Sequence, residues 1–410
     1  MSGGPAGDVL ADLPLVDAHC HPVLTRAVGP AEFERCCTEA DLAPPEGTSA
    51  WDSPAGTAIR RWCAPLLDLA PLAPPADYLE RRAELGPAVV TSRLLRAARL
   101  SHLLVDTGLS GPDLTGPPAL GHAAGAAAFE VVRLERVAED LAAAGVEPER
   151  FASAYVDRLA AVCQDAVAVK SIVAYRHGLD LDPSRPDPRQ VQDAAQDWLG
   201  GPTRRLEHPV LLRFALWAGV DLGLPIQVHT GFGDRELALR RSDPALLQPW
   251  LAAVEPTGVP VVLLHCYPYH RQAGWLAAVY PNVYVDVGLT VGQVGAAAGA
   301  VLGECLELAP FSKLLFSTDG YRLPELFLVG AAQFRHSLGR RLDERVADGA
   351  MSGDDAGQAA RMVATGNAHR VYRRLPSSTS DLGRCHPWTD ELAGPTTSDP
   401  KQTPKTAPGG

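Results

Sequence analysis

Val16-Asp17-Ala18-His19-Cys20-His21-Pro22 is the stretch from which the organisation of this chain can be worked out. The apolar run Leu13–Val16 leads into it and Pro22 closes it, which predicts a buried strand that ends in two histidines. Alternate residues of a strand point to the same face, so His19 and His21 should project together. Neutral imidazole is a common ligand of zinc and related metals, and the pair therefore predicts part of a metal site. Two ordinary polar residues at a strand end are the alternative.

Short apolar runs of the same kind recur along the chain between helix-like segments. Continuous rather than alternating apolar runs are typical of parallel strands that are buried on both faces. Eight such runs predict an α/β fold, a (β/α)8 barrel of the TIM type. The alternative, an open doubly wound sheet, favours a Gly-rich first turn that the sequence does not have. The predicted strands are Leu13–His21, His102–Gly108, Phe129–Glu135, Ala166–Ile172, Pro225–Thr230, Pro260–Cys266, Val283–Gly288 and Lys313–Gly320.

The other segments suggest a division of the chain. Residues 1–12 are interpreted as a loose leader and residues 13–375 as the barrel. Residues 23–100 are too long for a simple connection and contain helical patterns, which predicts a helical insertion after the first strand, over the mouth of the site. Pro, Ser, Thr, Gly and Asp dominate thereafter, so residues 376–410 are expected to form a disordered tail.

Composition and charge exclude several classes of protein. The 410 residues are 46% hydrophobic and 21% charged, which is normal for a globular protein with a large core. A formal net charge of -11 argues against nucleic acid as a partner. Neither a signal peptide nor a membrane span is predicted. The eight cysteines form no Cys-x-x-Cys pair and are expected to be free thiols of a cytoplasmic protein. A small-molecule substrate is the expected partner, and a homo-oligomer is left open.

Polar residues stand at the C-terminal ends of the predicted strands, where barrel enzymes carry their chemistry. A single histidine at such a position is more often a hydrogen-bonded core residue than a ligand. Six candidates that converge on one face are hard to obtain from packing alone. They are His19, His21, Lys170, His229, His265 and Asp319. All except Lys170 can ligate a divalent metal directly, and Lys170 can do so as a carbamate.

The order of these residues, His-x-His followed by Lys, His, His and Asp, resembles the amidohydrolase superfamily of metal-dependent hydrolases. Several motifs are similar to the amidohydrolase-2 branch, and to its FluG-like members in particular. The resemblance covers roughly residues 13–375. The matching motifs are 169–179 (VKSIVAYRHGL), 227–234 (QVHTGFGD), 264–268 (LHCYP), 316–320 (FSTDG) and 366–372 (GNAHRVY).

This resemblance implies a barrel hydrolase with one or two divalent metal ions, most often zinc. The implied core ligands are His19, His21 and Asp319. His229 would be a further ligand, and His265 would either ligate a second ion or act as an acid or base beside a single one. Lys170 would bridge two ions if it is carbamylated. An ammonium that pairs with an acid or binds substrate is the alternative for Lys170.

The resemblance implies hydrolysis of a C–N bond of amide type in an amino-acid-derived substrate, through a metal-bound hydroxide. The catalytic candidates are Asp319, His265 and Lys170. Asp319 would move a proton from water to the leaving nitrogen, and His265 would stabilise developing charge or deliver that proton. Two alternatives remain. One is a metal-dependent decarboxylase, because the same branch contains such enzymes. The other is a non-catalytic ligand-binding barrel.

Candidates for substrate binding follow from charge and position. Arg176 lies just past the fourth strand and could hold a substrate carboxylate with two parallel hydrogen bonds, the alternative being a loop salt bridge. Arg133 and Glu135 are two residues apart, so they could both point inward and pair with each other. Further candidates on loops near the predicted mouth are Asp106, Asp234, Tyr267 and His270.

Overall fold

Eight parallel strands form the sheet of the computed structural model, which describes residues 4–40 and 42–376. Strand order follows the sequence, and each strand pairs in parallel with the next. The strands are β1 Leu15–Cys20, β2 Leu100–Asp106, β3 Ala127–Arg133, β4 Ala168–Ser171, β5 Ile226–Thr230, β6 Val261–His265, β7 Val283–Asp286 and β8 Leu314–Leu315. Residues after β8 lie beside β1, where Ala18 N donates to Phe316 O at 2.9 Å. The predicted TIM-type barrel is confirmed.

Helices fill the connections between the strands and cover the outside of the barrel. More than half of them begin with proline at the first helical position, where its fixed φ suits the helix and its missing N–H has no intrahelical acceptor to lose. The helices are α1 Pro5–Asp12, α2 Pro30–Cys36, α3 Pro54–Trp62, α4 Pro75–Leu85, α5 Pro87–Ala97, α6 Pro117–Ala124, α7 Leu134–Ala143, α8 Pro148–Val162, α9 Val173–Arg176, α10 Pro188–Gly200, α11 Pro209–Asp221, α12 Gln248–Val254, α13 His270–Val279, α14 Gly288–Gln293, α15 Ala298–Cys305, α16 Pro324–Ala347, α17 Gly353–Arg361 and α18 Asn367–Val371.

The first helix overturns one expectation. Residues 1–12 were expected to be a loose leader, but Pro5–Asp12 form α1, which packs against α16. Ala6 and Leu10 are fully buried. The Asp343 carboxylate accepts hydrogen bonds from the Ala6 and Gly7 N–H groups at 2.9 and 3.2 Å. These first-turn amides have no intrahelical partner, so a carboxylate more than 300 positions later stabilises the helix.

The predicted helical insertion after the first strand is confirmed. Residues 23–100 contain α2 to α5. Phe33 of α2 stacks on Trp51, with ring centroids 5.0 Å apart, and Tyr78 of α4 packs against both rings. This aromatic cluster gives the insertion a small core of its own. The predicted tail, apart from Pro376, lies outside the described residues.

Apolar side chains fill the barrel below the strand ends. They come from alternate positions of the strands and form a cluster separate from the layer between strands and helices, as a packed barrel interior requires. The cluster includes Val16, Ala18, Leu104, Val131, Val262, Leu264 and Leu315. The polar ends of the strands therefore stand on a solid floor.

Two smaller expectations concern the described residues as well. Their seven cysteines are all free thiols, and Cys385 lies outside them. Within the described part of the chain, no helix is both long enough and apolar enough to cross a membrane.

Candidate active site

Asp319 and the two histidines of the opening motif meet at the C-terminal end of the barrel. Asp319 Oδ1 lies 3.1 Å from His19 Nε2 and 3.2 Å from His21 Nε2. Asp319 has a φ of 50°, a left-handed conformation that few residues other than glycine adopt. Its N–H donates to His19 O at 2.9 Å, so the pairing of the two chain segments holds the carboxylate in place.

Hydrogen bonds on the far side of each ring fix the tautomers of His19 and His21. His19 Nδ1 donates to the side-chain oxygen of Gln227 at 2.8 Å, and Gln227 Nε2 donates to Ala18 O at 2.6 Å. His21 Nδ1 donates to the carbonyl oxygen of Asp106 at 3.3 Å. In neutral rings, both Nε2 atoms then carry lone pairs that face the Asp319 carboxylate. A cation between these acceptors would stabilise the arrangement, and on the His19 side the Lys170 ammonium already supplies part of that charge.

Two further histidines complete one side of the cluster. His265 ends β6 with a φ of 68°, and its Nε2 lies 3.7 Å from Asp319 Oδ2. Both of its ring nitrogens are buried without a hydrogen-bond partner among the described residues. The ring of His229 lies 4.7 Å from that of His265, and its Nε2 donates to Phe232 O at 3.1 Å. A fully buried imidazole with both nitrogens unsatisfied is costly unless a ligand takes it up.

Burial sets the protonation states of these groups. Desolvation, followed by the charge of Lys170, lowers the pKa of His19 to about 4 and that of His229 to about 3. Desolvation also holds the pKa of His265 well below its usual value. Burial alone would raise the pKa of Asp319, but the surrounding histidines lower it by more. The net pKa is well below its usual value, so the carboxyl group stays ionised. Neutral imidazoles and an ionised carboxylate are the forms that bind metal.

The donor set fits a divalent metal ion. The ligand atoms of His19, His265 and Asp319 lie within 4.8 Å of one another, as do those of His19, His21 and Asp106. Nitrogen and oxygen donors of this kind suit zinc and the other divalent ions that imidazole and carboxylate hold. His229 adjoins the first group without being part of either.

Lys170 lies inside this cluster rather than beside it. Its Nζ donates to His19 Nε2 at 2.9 Å and lies 4.0 Å from Asp106 Oδ2. Lys170 is 1% exposed, and burial lowers its pKa to about 8. Lys170 also lines the cavity, so a bound substrate can reach it.

Arg133 pairs with Asp106, not with Glu135. Arg133 Nη2 donates to Asp106 Oδ2 at 2.7 Å, and Asp106 is fully buried. Because β3 ends at Arg133, Glu135 lies in α7, where it accepts hydrogen bonds from the Ser171 hydroxyl at 2.6 Å and the Ile172 N–H at 3.0 Å. The predicted pairing within strand three is therefore wrong.

A cavity of about 300 Å³ opens above the cluster. The insertion forms one wall through Arg35 and Cys36 of α2 and the residues that follow them. Six cationic side chains line the cavity, together with the carboxylates of Glu39, Asp234, Glu236 and Asp319. The cationic residues are Arg35, Arg133, Lys170, Arg176, Arg205 and Arg322. This lining contrasts with the net charge of -11 for the whole chain.

Arg176 makes a salt bridge, which was one of the two roles that the sequence suggested for it. Its Nη2 lies 3.0 Å from Glu139 Oε1, so it makes an ion pair. Its Nε and Nη1 are buried and have no hydrogen-bond partner among the described residues. Arg176 also lines the cavity.

Tyr267 and His270, two of the predicted substrate-binding residues, do not line the cavity. Their rings stack on each other with centroids 5.6 Å apart. His270 Nε2 donates to Glu304 Oε2 of α15 at 2.6 Å, which holds the pair at the outer layer of the barrel. Asp106 does not line the cavity either and acts behind it through Arg133.

Sequence reasoning missed Gln227, Tyr175 and Arg322. Gln227 orients His19, but a glutamine within an apolar strand gives little signal of that role. The ring of Tyr175 packs 4.6 Å from that of His229, and its hydroxyl accepts a hydrogen bond from Asp234 N at 3.3 Å. A Cβ at Gly233 would lie 1.9 Å from this hydroxyl, so the glycine in the 227–234 motif was a usable signal.

Known proteins resemble this chain in sequence and in structure. The Amidohydrolase family model matches residues 16–374. Protein fluG of Emericella nidulans is 37% identical over 221 residues, which are 50% of this chain and 25% of that protein, so the chain spans about a quarter of its length.

Two solved structures share the fold. A protein of Lactobacillus casei ATCC 334, inferred to be a metal-dependent hydrolase, has a TM-score of 0.81 at 26% identity, over 92% of this chain and 100% of that chain. A uronate isomerase of Thermotoga maritima has a TM-score of 0.61 at 15% identity, over 91% of this chain and 98% of its own. Since the family model covers nearly all of the barrel, including every strand end described above, this chain belongs to the amidohydrolase family of metal-dependent enzymes.

Proposed function

We propose that this protein is a metal-dependent hydrolase that cleaves a C–N bond of amide type in a small, carboxylate-bearing, amino-acid-derived molecule. One observation carries the proposal. His19, His21 and Asp319 direct acceptor atoms at one another in the floor of the cavity, and His265 adds two unpaired ring nitrogens. Family membership supports the same chemistry.

The residues of the cluster have distinct tasks in this reaction. His19, His21 and Asp319 would hold a divalent ion such as zinc, with His229 and, as a carbamate, Lys170 available to a second ion. When bound, such an ion supplies an activated water and polarises the scissile carbonyl. Asp319 Oδ2 takes the proton of the attacking water and passes it to the leaving nitrogen. His265, which faces that oxygen, stabilises the developing charge.

Arg176 orients the substrate. It lines the cavity, and its Nε and Nη1 have no hydrogen-bond partner among the described residues, which supports a charged anchor for a substrate carboxylate. An anchor at the rim and the cluster at the floor fix a small amide between them, which lowers the entropic cost of reaching the transition state. The cavity volume of about 300 Å³ is that of a small-molecule site.

Metal-dependent decarboxylation is the second candidate function, and one contact favours it. Lys170 Nζ lies 2.9 Å from His19 Nε2, and an ammonium there has no lone pair with which to bridge two ions. A single ion beside an ammonium suits cleavage of a C–C bond next to a carboxylate, because both cations stabilise the negative charge that is left on carbon.

Product analysis separates the two candidates. The protein as isolated with its metal is incubated with N-acyl amino acids and with aromatic and aliphatic carboxylic acids. The hydrolase proposal expects free amine and no carbon dioxide, with activity lost on chelation and restored by added zinc. Release of carbon dioxide without amine would replace it with decarboxylation.

Two variants test the site itself. Elemental analysis of the double variant His19→Ala, Asp319→Asn should show little bound metal, and wild-type metal content there would overturn the assignment. For Lys170→Ala, fewer ions per chain and recovery of activity by short carboxylic acids would identify a bridging carbamate. An unchanged single ion and no recovery would identify an ammonium.

A further inference from the structure

A second cationic wall stands across the cavity from Arg176. Arg176 ends α9, which follows β4, whereas Arg322 follows β8 and Arg35 lies in α2 of the insertion. All three side chains line the cavity. Because strand order runs from β1 to β8 around the barrel, β4 and β8 lie on opposite sides of it. Arg176 and Arg322 therefore follow strands on opposite sides of the candidate metal site.

The arginines on the second wall form no close ion pair in the described part of the chain, although both act electrostatically on Glu32 and help to lower its pKa. No carboxylate oxygen there lies within 4.0 Å of the guanidinium of Arg322 or Arg35, whereas Arg176 pairs with Glu139 and Arg205 pairs with Glu236. The guanidinium of Arg322 lies 4.8 Å above the ring of Tyr321. This contact holds its plane while leaving its N–H groups unpaired by an anion.

The backbone at Arg322 is strained, as it is at two residues of the candidate metal site. Arg322 has a φ of 62°, the left-handed region that also holds His265 and Asp319. Its N–H donates to Pro22 O, and its carbonyl accepts from Leu24 N, both at 2.9 Å. Residues other than glycine persist in this conformation only where the surroundings impose it, and such positions cluster at ligand sites.

We infer that the cavity binds a substrate with two anionic groups, one at Arg176 and the other at Arg322 and Arg35, with the reacting bond between them above Asp319. The second group is a carboxylate or a phosphate, since a guanidinium binds both through the same pair of N–H donors. The nature of the reacting bond rests on the proposed function. The second anionic group does not, because it follows from the unpaired wall alone.

Binding of simple diacids tests the inference without turnover. Succinate, glutarate and adipate are titrated calorimetrically into the metal-loaded protein, with butyrate and hexanoate as single-charge references. We expect one of the diacids to bind more tightly than both references by about 10-fold or more, the usual effect of a hydrogen bond to a charged group. A phosphonate analogue, 3-phosphonopropionate, then distinguishes a phosphate from a carboxylate as the natural second group.

Two substitutions remove the second wall in different ways. Arg322→Met should abolish the preference for diacids and leave butyrate binding within about 2-fold of the wild type. Arg322→Gly deletes the same charge and relieves the left-handed backbone, so it should lose the preference without a lower melting temperature. Arg340→Met, a change of equal charge at an exposed residue of α16, is the control and should bind diacids as the wild type does.

The outcomes for binding and for turnover are separable. A diacid preference that depends on Arg322 supports the second anion site even if no amide is hydrolysed, in which case only the proposed function fails. Equal binding of diacids and monoacids by the wild type overturns the inference. So does an Arg322→Met protein that keeps the full preference, because the second carboxylate would then lie on the metal instead.

Discussion

Neighbouring residues hold the candidate ligand Asp319 in a left-handed backbone conformation that aspartate rarely adopts. The residue before it, Thr318, donates both its N–H and its hydroxyl to the Asp17 carboxylate, at 2.8 and 2.6 Å. Asp17 is fully buried, and desolvation raises its pKa to about 8. One strand before β8, Asp286 accepts a hydrogen bond from the Ser317 hydroxyl at 2.9 Å. Two buried carboxyl groups thus fix the segment that presents the ligand.

Arg176 provides the first prediction at this scale. Arg176→Met keeps much of the length of the side chain and removes its charge and its N–H donors. Losing a hydrogen bond to a charged group costs about 1.5–3 kcal/mol, so KM for acidic amides should rise roughly 10- to 150-fold. The bound metal should not change, because Arg176 contacts Glu139 rather than the cluster. Steady-state kinetics and elemental analysis measure the two quantities.

A neutral substrate series is the control for that experiment. Amides without a carboxylate should show the same KM with the wild type and with Arg176→Met. If the variant binds acidic amides normally, or if the wild type hydrolyses neutral amides equally well, Arg176 is a structural partner of Glu139 and the substrate carboxylate lies elsewhere.

Among the elements, the insertion is tied to the barrel by a buried ion pair. Arg82 of α4 donates through Nε to Glu325 Oε1 of α16 at 2.7 Å, and the Tyr78 hydroxyl donates to the same oxygen at 3.0 Å. Glu325 is 0% exposed. It lies three residues after Arg322, so this contact also supports the wall of the cavity that the insertion and the start of α16 share.

Breaking that pair should cost far more than breaking an exposed one. Arg82→Met leaves the Glu325 carboxylate buried and without its cation, which typically lowers the free energy of unfolding by roughly 3–5 kcal/mol. The matched control is Arg340→Met, which breaks an exposed pair with Glu344 on the same helix and should cost less than about 1 kcal/mol. Urea denaturation measures both.

The difference in stability between Arg82→Met and Arg340→Met decides whether the buried ion pair fastens the insertion. Equal stability losses would mean that the Arg82 contact is solvated and does not fasten the insertion. Arg82→Met should also weaken substrate binding more than Arg340→Met does, because only the first change loosens a cavity wall.

The sequence predicted the elements well where burial is continuous and poorly where the backbone turns. All eight strands were found because parallel strands read as unbroken apolar runs. Strand eight was predicted to reach Gly320, yet β8 is Leu314–Leu315, since the following residues leave the ladder to place Asp319. The apolar pattern does not predict where β8 ends, because the residues that follow the strand are buried as well.

Long-range partners were the other limit. The order of His, Lys and Asp at the strand ends gave the cluster, but a pair such as His19 and Gln227, separated by 208 residues, has no local signal. The same reason explains α1, which depends on Asp343. It also explains the misplaced His270, which hydrogen-bonds to Glu304, and Tyr267, whose ring stacks on that of His270.

In the molecule as a whole, the charge of the cavity differs in sign from the net charge of the chain. The chain carries a net charge of -11, yet the cavity is lined by six cationic side chains and ends in a cluster of acceptor atoms. An anionic substrate is thus repelled by the average surface and attracted by one concave region, which favours productive encounter at that region. The same distribution makes the floor of the barrel depend on its cation.

Removal of the metal is therefore expected to lower the stability of the whole barrel. Ligand atoms from β1, β6 and the segment after β8 converge at the floor, so the ion binds the folded chain and not the unfolded one. Binding at 1,000 times the dissociation constant stabilises a fold by about 4 kcal/mol, which for a domain of this size is a shift of several degrees. Differential scanning calorimetry before and after chelation should show the melting temperature fall and then recover with zinc.

The double variant His19→Ala, Asp319→Asn should be insensitive to both treatments, since it lacks the ligands. A wild-type melting temperature that does not respond to chelation, in protein shown by elemental analysis to have lost its metal, would mean that the cluster is held by the protein alone.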